Sequence, residues 1–179
     1  MSGRAQALLA LANAGRPIRP SGARNQIKSD PLERTQTANL LLASLGCGAV
    51  REEDLPGLRR LAELVREIAE RIVDGKPCNE EVSDLNTYSR RSHGWLSLVP
   101  GDRGVVRTEM VWEDGPLEGH LARQIVWELG GIDSDRLKRC ARPECGHIFY
   151  DETRPGTKRW HAENPCGWRE RQARRRGQA

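Results

Sequence analysis

No stretch of 18 consecutive apolar residues occurs in the 179-residue chain, so nothing in it reads as a membrane span. There is no internal repeat, and no low-complexity tract apart from a cluster of terminal arginines, which excludes a repeat architecture. Aromatic residues are scarce: one Phe and two Tyr accompany five Trp, so the core has to be mainly aliphatic. Asp, Glu, His and Ser are present, but none falls into a spacing that nucleophilic or acid–base chemistry requires, and no enzymatic role is expected. Cysteines number five, an odd count with three crowded into one short segment. That pattern suits metal binding in a reducing compartment, and the expected location is the cytoplasm of a bacterial cell, with access to the chromosome. The N-terminus carries Arg4 and a brief apolar run broken by Gln6, followed by a poor cleavage region, so a first helix is expected there and not a signal peptide.

Charge is laid down unevenly. Residues 1–136 carry 18 basic and 20 acidic side chains, net −2, whereas residues 137–179 carry 11 basic and 5 acidic ones, net +6. A polyanionic partner would be met in that last quarter. The length suits one ordinary domain, residues 1–136, followed by a small appendage, residues 137–179.

Most of the larger part reads as helix. Leu8, Leu9, Leu11 and Ala12 predict a short apolar helix ending at Gly15, followed by a loop over 16–27. Asp30 as cap and Pro31 at the first position open a second helix carrying Leu32, Ala38, Leu41, Leu42 and Leu45 and stopped by Gly46. Asp54 and Pro56 open a third, in which Leu58, Leu61, Leu64, Val65, Ile68 and Ile72 recur at three- and four-residue steps up to Gly75. A fourth is expected over 79–92 with Val82, Leu85 and Tyr88 inward. Residues 95–99 and 105–112 predict two strands joined by the turn-forming 100–104, a β-hairpin. Pro116 starts a further helix through Leu121, Ile125, Val126 and Leu129, stopped by Gly130 and Gly131. The fold class is therefore mainly α with a small β-hairpin (α+β), with Trp95, Trp112 and Trp127 expected as the large core fillers. His93 and His120 stand alone and are given no role, and Cys47 and Cys78 read as small packing residues.

The appendage holds the chemistry. Cys140-x4-Cys145-x15-His161-x4-Cys166 places two close ligand pairs a dozen or so residues apart, the spacing of a structural zinc site. The surrounding Arg142, Glu144, Asp151, Glu152, Thr153, Lys158 and Arg159 leave too little apolar surface for a core without a staple. His147 competes for the fourth position, but His161 forms the second pair with Cys166 and is preferred. Pro143 and Gly146 make the first pair a tight knuckle. Residues 148–150 then predict a strand, 154–157 a turn and 159–160 the returning strand. A final helix is expected from Asn164 or Pro165 with Cys166 in its first turn, and the whole is a treble-clef-like arrangement. Phe149, Trp160 and Trp168 would cover the ion. Four protein ligands leave no position for a catalytic water, so the zinc would be structural.

Behind the last ligand stand Arg169, Arg171, Arg174, Arg175 and Arg176, with Lys158 and Arg159 on the preceding hairpin. Guanidinium groups in a row suit phosphate oxygens and guanine edges, and a metal-held platform would give them fixed geometry. The expected partner is DNA, with the last helix in the major groove and Lys158 and Arg159 on phosphates. The rival readings are a protein-interaction module and a cysteine-based redox or iron–sulfur sensor.

The segment from Leu137 to Arg176 resembles the CGNR zinc finger. The likeness rests on Cys140-x4-Cys145-Gly146, Asp151 after an aromatic, Arg159-Trp160, and Cys166-Gly167-Trp168-Arg169. The helical part, including Leu85-Asn86-Thr87, is similar in length and placement to an ABATE-like domain. The resemblance implies a zinc-binding, stress-related transcription regulator that binds DNA, with an N-terminal domain that senses a small-molecule or protein signal or mediates self-association into a homodimer. Two positions depart from the family pattern: His161 stands where a cysteine is common, and Trp168 stands where the family has its name-giving asparagine.

Overall fold

The computed structural model describes residues 5–14, 30–45, 48–101, 104–113 and 115–177. It is mainly helical with two small antiparallel strand pairs. The elements in chain order are α1 (Gln6–Ala12), α2 (Thr35–Leu42), α3 (Leu55–Val73), α4 (Asn79–Ser89), β1 (Gly94–Pro100), β2 (Val106–Trp112), α5 (Leu117–Gly131), β3 (Leu137–Arg139), β4 (Ile148–Tyr150) and α6 (Trp168–Gly177). No helix among the described residues is long and apolar enough to cross a membrane.

The long helix α3 is the spine. Leu58, Leu61, Ala62, Val65, Ile68 and Ala69 form one buried stripe, flanked by partly buried Leu64 and Ile72, and Gly75 ends the run at φ 63°. Against this stripe lies α1, whose Ala7, Leu8, Leu11 and Ala12 are all buried. The helix α1 supplies no side-chain cap of its own. Instead Glu128 of α5 accepts from the N–H groups of Ala7 and Leu8 at 3.0 and 2.9 Å, placing a carboxylate where the helix dipole favours one. Burial raises the pKa of that carboxyl, and the two N–H bonds counter part of the rise. The helix α5 packs on α4 as well, and Gly119 permits the approach, since a Cβ there would meet the Tyr88 carbonyl of α4 at 3.4 Å and the Ser92 Cβ just beyond that helix at 3.1 Å.

Three expectations need correction. The helix expected from Leu32 to Leu45 is broken: a 3-10 turn at Pro31–Glu33 is followed by extended Arg34 (φ −134°, ψ 142°), and α2 starts afresh at Thr35. Asp30 caps the short turn by accepting from the Leu32 N–H at 2.9 Å. Thr37 then ties the two pieces by donating its hydroxyl to the Pro31 carbonyl at 2.6 Å. The expected stop at Gly46 lies outside the described residues, as do Gly15, the loop over 16–27 and Cys47.

The tryptophans are also placed differently. Trp95 and Trp127 are 52% and 72% exposed, and the Trp112 side chain lies outside the described part of the structure. On α5 the buried stripe is Leu121, Ala122 and Ile125, and at about 100° per residue Trp127 falls on the opposite side of the helix. Leucine and alanine from several helices close the core without the indoles. Val82, expected inward on α4, is likewise exposed, while Leu85 and Tyr88 do face the core. The strands β1 and β2 pair as the expected hairpin, with Gly94 opposite Trp112 and Pro100 opposite Val106.

The third correction concerns β4. Its partner is β3, with Leu137 opposite Tyr150 and Arg139 opposite Ile148, and not the residues around Trp160. Leu137 and Ile148 are 3% and 1% exposed and belong to the main helical core, so apolar packing runs across the point at which the charge changes sign. On the outer edge of β4 the Asn13 side chain accepts from the Ile148 N–H at 2.9 Å and donates to the Ile148 carbonyl at 2.8 Å, pairing with the strand as a third strand would. Arg139 completes the junction with an ion pair to Asp74, the residue capping the end of α3, at 2.9 Å.

Candidate metal centre

Local chain geometry brings the four expected donors together. The knuckle forms because Gly146 takes φ 60°, the Cys145 N–H reaches the Arg142 carbonyl at 3.0 Å, and the Cys140 N–H reaches the His147 carbonyl at 2.7 Å. The chain then leaves along β4, turns at residues 153–156, and returns so that the Arg159 carbonyl accepts from the Ala141 N–H at 2.9 Å. This delivers His161 beside the knuckle. Cys166 comes from the turn Glu163–Gly167, in which Asn164 is extended (φ −109°, ψ 122°), and Trp168 is the first residue of α6. Cys166 therefore sits just ahead of the last helix and not in its first turn, as the spacing had suggested.

The donor atoms of Cys140, Cys145, His161 and Cys166 all lie within 4.8 Å of one another. The His161 Nδ1 is 3.4 Å from the Cys145 sulfur and 3.8 Å from the Cys166 sulfur. Tetrahedral zinc with Zn–S of about 2.3 Å and Zn–N of about 2.0 Å sets such edges at roughly 3.5 Å, so the donors fit that ion. Among the described residues no other group of three or more His, Cys, Asp or Glu converges in this way. His147 stays outside the cluster and stacks on the His161 ring, with centroids 4.5 Å apart.

Residues 136–179 match the CGNR zinc finger family model. No curated protein matches the chain. The finger binds one structural zinc ion through three thiolates and one imidazole.

Without a cation the finger's donors repel ionisation. Burial, together with the neighbouring Cys145 and Cys140, pushes the Cys166 thiol up to about 12, and burial raises Cys145 too. Burial, with Lys158 nearby, lowers His161, which keeps the imidazole neutral as a metal ligand must be. Three thiolates and a neutral imidazole leave a zinc site with net charge −1. Arg142, anchored to Glu144 at 2.8 Å, lies against Cys166 and balances that charge. Phe149 and Trp160 cover the sulfurs; Trp168, expected as a third cover, is 50% exposed and does not.

A second constellation, which no ligand or catalytic spacing marks in the sequence, is built round Asp151. Asp151 is fully buried and accepts from the Lys138 ammonium at 2.8 Å, the Thr153 hydroxyl at 2.5 Å and the Thr153 and Lys158 N–H groups at 3.0 and 2.8 Å. Burial alone would raise its pKa, but Lys138 and the three other donors outweigh it and hold the carboxyl well below the usual carboxylate range. Lys138 also donates to the Gly156 carbonyl, and Arg136 to the carbonyls of Asp151 and Thr153 at 3.1 and 2.7 Å. The loop from 151 to 158 is thus a polar core organised round one carboxylate. It is what brings the chain back to the metal.

The cations singled out by sequence are distributed over this frame. Lys158 and Arg159 are exposed and stand over the Phe149 and Trp160 rings, at 5.5 and 5.4 Å from the centroids. On α6, Arg171 is paired with Glu163, Arg174 approaches Glu170 at 3.7 Å, and Arg176 donates to the Gln172 carbonyl at 3.4 Å. Arg175 is exposed, and Arg169 is half-buried.

Proposed function

We propose that the chain is a DNA-binding transcription regulator in which the zinc finger presents α6 and the adjoining loop to a polyanion. The observation that carries this reading is the concentration of the chain's entire positive excess, net +6 over residues 137–179, on a frame fixed by one metal ion and by the Asp151 network. Lys158 and Arg159, held over aromatic rings, neutralise phosphates, and Arg169, Arg171, Arg174, Arg175 and Arg176 line the helix that meets the DNA. The pairs of Arg171 with Glu163 and of Arg174 with Glu170 are exposed, and exposed pairs are worth little, so phosphate oxygens displace the carboxylates at small cost. No catalytic step is part of this role, since all four positions round the ion are filled by protein. The site of action is the bacterial cytoplasm, where the chromosome lies. Family likeness supports a role in stress-responsive transcription.

The helical part, similar to an ABATE-like domain, is the sensing or self-associating part. An open cleft of about 740 Å³ lined by Arg51, Asp54, Glu113, Leu117 and His120 supports the sensing role. Exposed Leu98 and Val106, which share one face of the β-hairpin, favour a protein contact there, as in a homodimer. The deciding experiment is a mobility-shift titration of the zinc-loaded protein on duplex DNA from 50 to 200 mM salt. With four to seven phosphate contacts, log K falls against log salt with a slope of about −4 to −6. Absence of salt-sensitive binding to any duplex refutes the proposal.

A further inference from the structure

Of the finger's aromatic side chains Phe149, Tyr150, Trp160 and Trp168, two are committed to the metal. Phe149 and Trp160 pack on the sulfur cluster, whereas Trp168 projects half-exposed from the first residue of α6. Half of this indole is open to solvent, at a cleft whose other lining is polar. Its surroundings are Glu163, Asn164 and Arg171, which with Trp168 line an open cleft of about 380 Å³. A carboxylate, an amide and a guanidinium do not match an apolar protein surface. They do match the polar edge of a flat heterocycle whose face lies on the indole.

From this placement, and on the premise that the finger binds DNA, we infer that the Trp168 cleft takes the base of an unpaired nucleotide. In a paired duplex both faces of a base are covered by its neighbours, so an indole reaches a base face only where the strand is single or the base is turned out. Asn164 has an amide that both donates and accepts, which suits the exposed edge of any base. Helical phase places the phosphates correctly as well. At about 100° per residue Trp168, Arg171 and Arg175 share one side of α6 and span about 10 Å along its axis, so a strand whose base rests on Trp168 runs its phosphates past two guanidinium groups. Arg171 is held by Glu163 across the mouth of this cleft, and an arriving phosphate exchanges for that carboxylate.

The test uses the full-length, zinc-loaded protein with a fluorescein-labelled 20-nucleotide single strand and with the blunt duplex of the same sequence. The single strand is expected to bind more tightly. W168A weakens single-strand binding about 5- to 150-fold, the range for loss of one base–aromatic stack, and changes duplex binding less than twofold. W168F keeps most of the affinity because it keeps a ring. W168L keeps apolar volume without a π face and behaves like alanine. The salt slope on the single strand stays the same in all three variants, because the indole carries no charge. Zinc content, measured on each variant, shows that the finger is intact. If W168A and W168L bind the single strand as the wild type does, or lose single-strand and duplex affinity equally, the inference is overturned while DNA binding stands. If the wild type binds neither probe in a salt-sensitive manner, the DNA-binding premise falls and the inference with it.

Discussion

Replacing Asn13 by alanine asks whether the zinc finger is part of the helical core or merely attached to it. The side chain bridges residues 135 positions apart: it accepts from the Ile148 N–H at 2.9 Å and donates to the Ile148 carbonyl and to the Leu9 carbonyl, each at 2.8 Å. The Leu9 carbonyl keeps its bond from the Asn13 backbone N–H at 3.2 Å, so little is lost there. Ile148 is different. It is 1% exposed, and β3 occupies the other edge of its strand, so its N–H and carbonyl would both lose their partner. Each orphaned buried backbone group costs roughly 1–3 kcal/mol, giving about 2–6 kcal/mol together, or about 1 kcal/mol where water enters the vacated space. Urea unfolding of the zinc-loaded protein, followed by far-ultraviolet circular dichroism, measures this directly. Asn13→Asp is the control: it keeps the acceptor but sets a carboxylate oxygen against the Ile148 carbonyl, and it is expected to cost at least as much. Amide exchange at Ile148 should accelerate in both variants. A loss below about 0.5 kcal/mol for Asn13→Ala, with unchanged exchange at Ile148, refutes the reasoning.

Asp151→Asn removes the charge round which the loop 151–158 folds and should cost about 3 kcal/mol, the lower end of the range for breaking a buried pair because Lys138 is partly exposed. The Asp151 pKa is depressed in the folded state, so its contribution is fully present above the unfolded value near 3.9 and is lost only as pH falls below it. The stability gap between wild type and Asp151→Asn is therefore flat from pH 7 to pH 5, and a gap that closes within that window contradicts the assignment. Native mass spectrometry separates the two histidines: His147→Ala retains one zinc per chain, whereas His161→Ala loses it or binds it far more weakly. The reverse result would move the fourth ligand to His147.

Patterns with local causes were legible in the sequence. The stripe of α3, the apolar helix α1, the start of α5 after Pro116 and the β-hairpin follow from periodicity, proline and glycine, and the structure carries each of them. Ligand spacing selected Cys140, Cys145, His161 and Cys166 because a knuckle and a second close pair leave few other ways to surround an ion. What escaped the reading depends on chain segments meeting from afar. A three-residue strand such as β4 has no pattern that names its partner, and the apolar side chains of Leu137 and Ile148 decided in favour of β3. Neither Asn13 nor Lys138 belongs to a motif; one answers Ile148 and the other Asp151 only after folding brings them together. Trp95 and Trp127 were misplaced because size suggested burial, while the small aliphatic side chains of the helices already filled the interior.

The continuity of packing at Leu137 and Ile148 couples the metal centre to the helical core. Zinc contributes on the order of 10 kcal/mol to the folding of such a finger, and its loss would withdraw both side chains from beneath α1 and α3. The uncovered leucines would then be open to proteases. Zinc withdrawal is therefore expected to raise the protease sensitivity of the helical part as well as that of the finger.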